Sequence, residues 1–242
     1  MHPYRLPEMA KAAVARKLGD SHSIRKLTPA KTALLVVDMQ NYFMAPGQQL
    51  ETPVAREVVP NVNKLASALR AAGGTVVWIR NRTPEGSSGE WSSYSKRYSQ
   101  DAWSIRDAAM KPDAFGFEFW PELDMRDDDL EVVKTRFSAF IQGASDIQAQ
   151  LTPLGVDTLL VTGVATNICC EATARDAMML NYDVAMIADG CAAPTDDLHA
   201  ATMTNWHQFF GDVLETDEAV ALLAANAAAA EPQATLAIRE NG

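Results

Sequence analysis

Short apolar runs alternate with amphipathic stretches along most of this 242-residue chain. The runs are ALLVVD at 33–38, TVVWIR at 75–80, EVVK at 131–134, DTLLVTG at 157–163 and DVAMIAD at 183–189. Each is short, rich in β-branched residues and nearly continuous in apolar character, which predicts strands buried on both faces. Between and after them, apolar residues recur at helical spacing and predict helices over 54–72, 144–154, 167–181 and 195–209. Alternating strands and helices predict an α/β fold with a parallel sheet covered on both sides. Residues 81–120 break the rhythm with glycine, serine and aromatic residues, so they read as an excursion over the sheet edge. Such a segment either covers an active site or is a structural surface insertion. The chain reads as a single domain over 1–242, with a polar arm at 1–30 that holds one helical segment and an alanine-rich tail at 225–242.

Composition narrows the function. With 48% hydrophobic and 21% charged residues the chain belongs among folded globular proteins rather than disordered ones. A formal net charge of −10 and the absence of a Lys/Arg run argue against nucleic acid as a partner. No stretch approaches the ~20 apolar residues of a membrane span, and the start has no apolar leader core, so a cytoplasmic protein without membrane association is expected. The three cysteines, Cys169, Cys170 and Cys191, are odd in number and carry no disulfide framework. His2, His22, His199 and His207 lack the paired spacing of a zinc site, although His199 and His207 could share a helix face; no metal and no cofactor is expected.

Ligands of an open parallel sheet bind outside the carboxyl ends of its strands. There the first run ends in Asp38, the third in Lys134, and the fourth in Gly163, leading to Cys169 on the opening turn of a helix. Singly, these read as a cap, a surface charge and core filler. Together they form an acid, a base and a thiol. A helix N-terminus and a nearby ammonium favour the thiolate, and a carboxylate within reach accepts its proton. Residues 163–166 could offer N–H groups to an oxyanion, so acyl transfer to sulfur followed by hydrolysis is the expected reaction. Cys169, at the extreme end of the helix, is the expected nucleophile; Cys170 reads as packed filler and Cys191 as a partly buried loop thiol.

These segments, LLVVDMQNYF, VVKTRFSAF and GVATNICCEATARDAMMLNYDV, resemble the isochorismatase-like cysteine hydrolases from about residue 30 to 222. The resemblance implies a three-layer α/β/α sandwich around a six-stranded parallel sheet, in a homodimer or homotetramer. It also implies a triad of Asp38, Lys134 and Cys169, an oxyanion hole made by the backbone N–H groups of Ala165 and Cys169, and a cis peptide between Val164 and Ala165. The cysteine favours amide or ureide hydrolysis over vinyl-ether cleavage. The absence of an Asp-x-His pattern disfavours nicotinamide. Members acting on biuret, triuret, ureidoacrylate or N-carbamoylsarcosine share the triad without metal; streptothricin hydrolase, which opens a lactam, is also similar in the NICCE and FGDV segments. A silent binding module is the other alternative, and the intact triad argues against it. Asn41, Phe43, Phe137 and Gln208 are the candidate substrate contacts. Gln208 reads either as an amide anchor for a neutral, planar, urea-like small molecule or as a surface residue.

Overall fold

Six strands, Thr32–Val37 (β1), Thr75–Asn81 (β2), Leu130–Lys134 (β3), Thr158–Val164 (β4), Asp183–Ala192 (β5) and Asp212–Leu214 (β6), form one parallel sheet. This computed structural model describes residues 1–84 and 90–229. The strand order is β3-β2-β1-β4-β5-β6, so the direction of winding reverses between β1 and β4. Every residue of β1 and β4 is buried, as the continuous apolar runs require. Alternation divides them between two cores. Leu34, Val36, Val76, Trp78, Leu160 and Ile187 meet the helices Val59–Ala71 and Thr216–Ala229 on one face. Ala33, Leu35, Val37, Val77, Leu159 and Met186 meet Ile147–Leu151, Glu171–Met179 and Asp196–Phe209 on the other. The result is a three-layer α/β/α sandwich.

In chain order the helices are Glu8–Leu18 (α1), Asn41–Met44 (α2), Val59–Ala71 (α3), Ser92–Ser95 (α4), Gln100–Ala109 (α5), Ile147–Leu151 (α6), Glu171–Met179 (α7), Asp196–Phe209 (α8) and Thr216–Ala229 (α9). Proline accounts for two departures from the sequence pattern. The helix expected over 54–72 opens as a 3₁₀ turn at Pro53–Arg56, and α3 begins beside Pro60 in its first turn. The helix expected over 144–154 is only α6 followed by a 3₁₀ turn, Thr152–Leu154, because Pro153 has no N–H to continue it. The pattern located five strands; β6 has three residues, too few to show a period. Cys191 lies within β5, fully buried, rather than in a loop. The expected tail is helical through α9 to Ala229, and the remainder, 230–242, lies outside the described residues.

The arm packs α1 against α8 and extends past it. His2 stacks on His199 at 4.4 Å; its Nδ1 lies 2.6 Å from Asp196 Oδ1, and the Ala193 N–H donates to its Nε2 at 2.9 Å. His199 Nδ1 in turn lies 3.0 Å from Thr166 Oγ1, directly behind the Cys169 turn. Burial, reinforced by His2, pushes the His199 pKa down to about 3. An unfolded His199 takes up a proton near pH 6.5, so its contribution to stability is present at neutral pH and is lost as pH falls from 6.5 toward 3. Burial beside Asp189 raises Glu215 to about 7 and gives the opposite slope from pH 4.5 to 7. The two are separated by comparing wild type with His199→Gln in denaturant at several pH values. The difference in unfolding free energy between them should change by up to about 1.4 kcal/mol per pH unit below pH 6.5; a constant difference would contradict the assignment.

Candidate active site

The winding reversal opens a crevice at the carboxyl ends of β1 and β4, where a parallel sheet of this order receives its ligands. Asp38 follows β1 with a φ of 53°, a left-handed conformation that aspartate tolerates better than most residues. It turns the chain out of the strand, and the following residues fix it. The Gln40 amide donates to the carbonyls of Asn81 at 3.1 Å and Phe117 at 3.0 Å, and its Oε1 accepts from the Asn81 N–H at 2.6 Å. On the neighbouring strand end, Gly163 has a φ of 116°, and a Cβ there would lie 2.1 Å from the Val37 carbonyl oxygen. Only glycine lets β4 approach β1 this closely. The chain then passes through a cis peptide between Val164 and Ala165 into a π-helical turn, Thr166–Cys170.

These constraints bring Asp38, Lys134 and Cys169 together. Lys134 Nζ donates to Asp38 Oδ2 at 2.8 Å and to the Arg136 carbonyl at 3.0 Å, and both side chains of the ion pair are fully buried. Asp38 Oδ1 makes no hydrogen bond of ordinary geometry, and the Cys169 thiol is the side chain that interacts with the free side of the carboxylate. Burial disfavours both charges. For Lys134 the Asp38 carboxylate and Cys169 outweigh it, and the ammonium is held above its usual range; for Asp38 burial prevails, and the carboxyl lies above the usual range. Cys169 is 6% exposed, and burial together with the Asp38 charge pushes its thiol up to about 12. The sequence expectation of a thiolate favoured by a helix terminus is therefore corrected. Cys169 lies in the π turn before α7, and burial plus Asp38 outweigh Lys134, leaving a protonated thiol beside a basic carboxylate.

A cavity of about 880 Å³ opens over Cys169. Its walls include Phe43, Phe137, Val164, Ala165 and Pro194, with Tyr94, Tyr98 and Arg106 from the 81–120 excursion. The excursion thus forms one wall of the cavity. Phe43 and Phe137 line it; Asn41 and Gln208 do not. Asn41 is 3% exposed and donates to the Phe115 carbonyl at 3.0 Å, tying the excursion down. Gln208 is near the end of α8, with its carbonyl accepting from Lys17 of the arm at 2.9 Å, so its expected contact with substrate is corrected. Cys170 and Cys191 are buried behind the site, their thiols directed at the carbonyls of Thr162 and Val161.

Arg106 was not among the candidates. Its sequence context, SIRDAAM, is that of an ordinary surface helix. In the structure it is 2% exposed, lies under Tyr94 and over Tyr42, and donates from Nη2 to Asn81 Oδ1 at 3.2 Å. Its Nε and Nη1 are shielded from solvent and make no hydrogen bond of ordinary geometry, with the Tyr42 hydroxyl as their polar neighbour. Of the other charged residues on the cavity wall, Glu171 pairs with Arg175 and Glu51 with Arg56, while Arg97 is exposed. The guanidinium also acts electrostatically on Asp38 and Cys169.

Comparison with known proteins agrees with this fold. Residues 32–218 match the isochorismatase domain family. The chain is similar to the ureidoacrylate amidohydrolase RutB of Acinetobacter baylyi, 30% identical over 87% of this chain and 91% of that protein. The RutB of Caulobacter vibrioides is 29% identical over 78% of this chain and 89% of its own. Among solved structures, a cysteine hydrolase from Pseudomonas syringae pv. phaseolicola superposes with a TM-score of 0.74 at 27% identity, covering 83% of this chain and 95% of that one. N-carbamoylsarcosine amidase from Thermoplasma acidophilum gives a TM-score of 0.62 at 27% identity, over 78% and 98%.

The buried ion pair generates a stability prediction. Lys134→Met leaves a carboxylate unpaired in a dry site and should cost about 3–5 kcal/mol, whereas adding Asp38→Asn should restore much of that loss. Urea unfolding of the two single variants and the double variant tests this; additive losses would show that the pair is not coupled.

Proposed function

Because the chain belongs to the isochorismatase family, we propose that it is an amidohydrolase that opens the C–N bond of a small ureido acid through a thioacyl intermediate on Cys169. In this reading Asp38 takes the thiol proton as sulfur attacks the ureido carbonyl. The C–S bond forms, the backbone N–H groups of Ala165 and Cys169 receive the oxyanion, and the C–N bond breaks as the proton passes to the departing amine. Water then attacks the thioacyl carbon with Asp38 as base, and the C–S bond breaks to return the thiol. Lys134 keeps the site neutral overall while Asp38 alternates between its charged and protonated forms. A thiol that rests protonated suits this sequence, since its ionisation is coupled to attack and no buried thiolate stands exposed to oxidation.

One observation carries the substrate class: Arg106, a buried guanidinium on the cavity wall with no carboxylate partner among the described residues. A buried guanidinium without a carboxylate partner matches the planar, bidentate demand of a substrate carboxylate. It therefore favours an anionic ureido compound over neutral biuret or triuret, and it displaces the neutral-substrate reading that rested on Gln208. The similarity to ureidoacrylate amidohydrolases supports the same choice.

Ammonia release from ureidoacrylate, 3-ureidopropionate, N-carbamoylglycine, biuret and nicotinamide, with Cys169→Ser as the blank, tests the proposal. The ureido acids should be turned over and the blank inactive, because a hydroxyl is far less acidic than a thiol. Preference for a neutral substrate would overturn the class, and an active Cys169→Ser would overturn the mechanism. Arg106→Gln should lower kcat/KM for the ureido acids by roughly 10- to 150-fold, the value of 1.5–3 kcal/mol for hydrogen bonds to a charged group, with a smaller effect on any neutral substrate. An equal loss for both would assign Arg106 a structural role only.

A further inference from the structure

Away from the Cys169 cavity, the arm, α8 and β6 bring together His22, His207 and Asp212, one potential ligand atom from each lying within 4.8 Å of the others. From this cluster we infer a binding site for a divalent transition-metal ion of the zinc type, which clamps the amino-terminal arm to the end of the sheet. None of the three residues lines the cavity over Cys169.

The separations favour an ion over hydrogen bonds. His22 Nδ1 and His207 Nδ1 lie 3.7 Å and 3.8 Å from Asp212 Oδ1. Both are too long for a hydrogen bond and close to the ~3.3–3.6 Å between ligands held 2.0–2.2 Å from a tetrahedral ion. The side chain of His207 is fully buried, and its ring nitrogens make no hydrogen bond of ordinary geometry, the Ser21 backbone being their polar neighbour; His22 Nδ1 has no partner either. A buried imidazole without hydrogen bonds of ordinary geometry is an expensive arrangement unless a ligand completes it.

The surroundings fit the same assignment. The Asp212 carboxylate is oriented by the Ser23 N–H at 3.2 Å, by the Ser23 hydroxyl at 3.0 Å and by the Ile24 N–H, as ligating carboxylates usually are. Two imidazoles and one carboxylate suit zinc or cobalt rather than calcium or magnesium, which prefer oxygen ligands. The His22 side chain is 29% exposed and lines a hollow of about 320 Å³ beside β6, so solvent reaches the cluster from the His22 side. In the sequence, His22 and His207 lie at opposite ends of the chain and show no zinc spacing; the fold supplies the proximity.

The test uses the untagged full chain, dialysed against chelator and titrated with Zn²⁺ by calorimetry, with Co²⁺ absorption as a report of tetrahedral coordination. One ion should bind per chain, raise Tm and leave kcat/KM for a ureido acid unchanged. His22→Ala and His207→Ala should each weaken binding by about 100-fold or more. Absence of saturable binding in the wild type, or unchanged affinity in His22→Ala, would overturn the site. His22 is partly exposed on the arm, so its variant keeps the test decisive if His207→Ala does not fold.

Discussion

The ion pair between Asp38 and Lys134 sets the terms for everything around it. Both side chains are removed from water, so neither charge is tolerable without the other. The pair forms only if the carboxyl ends of β1 and β3 stay in register across β2, and the Gln40–Asn81 hydrogen bonds hold that register on both sides. Asn81 is the common node: its backbone receives Gln40, its amide donates to the Arg136 carbonyl that Lys134 also uses, and its oxygen positions Arg106. The sheet is thus the rigid frame for a site in which charge balance, rather than apolar packing, decides the geometry.

The same balance determines the state of the thiol. In an open loop the helix end and a lysine would favour the thiolate; in this buried site the adjacent carboxylate and the lack of water reverse that preference. In the proposed mechanism Cys169 and Asp38 exchange one proton, with Lys134 as the fixed countercharge and Arg106 as a second cation on the cavity wall. A substrate carboxylate on Arg106 would cancel that extra charge and place a neighbouring ureido carbonyl over the sulfur. On this proposal binding and proton transfer are linked through electrostatics, without a need for movement in the frame.

Much of this was legible in the sequence because buried parallel strands leave continuous apolar runs, and the polar residues that end them stand out. Asp38, Lys134 and Cys169 could be read in that way, as could the sandwich. Other features leave no local signal. Three-residue β6 shows no period, and Pro153 shortens a helix whose apolar spacing continues past it. Gln208 has the right residue type on a helix near the end of the chain, but the arm occupies its surroundings. Arg106 is indistinguishable from a surface arginine until the excursion folds over the sheet and buries it between Tyr42 and Tyr94. His22 and His207 meet only through the path of the arm. Contacts made by distant segments over the sheet edge are what sequence spacing does not encode.

The proposed mechanism rests on covalent chemistry at Cys169 within the field of the buried pair. Rapid-quench mass spectrometry of the wild-type chain mixed with a ureido acid, followed by peptide mapping, addresses it most directly. An acyl adduct is expected on Cys169 itself, located by fragment-ion sequencing of the peptide that also carries Cys170, appearing within one turnover and disappearing as substrate is consumed. Turnover with no adduct at any quench time in a form that slows deacylation, or an adduct on Cys170 or Cys191 instead, would contradict it.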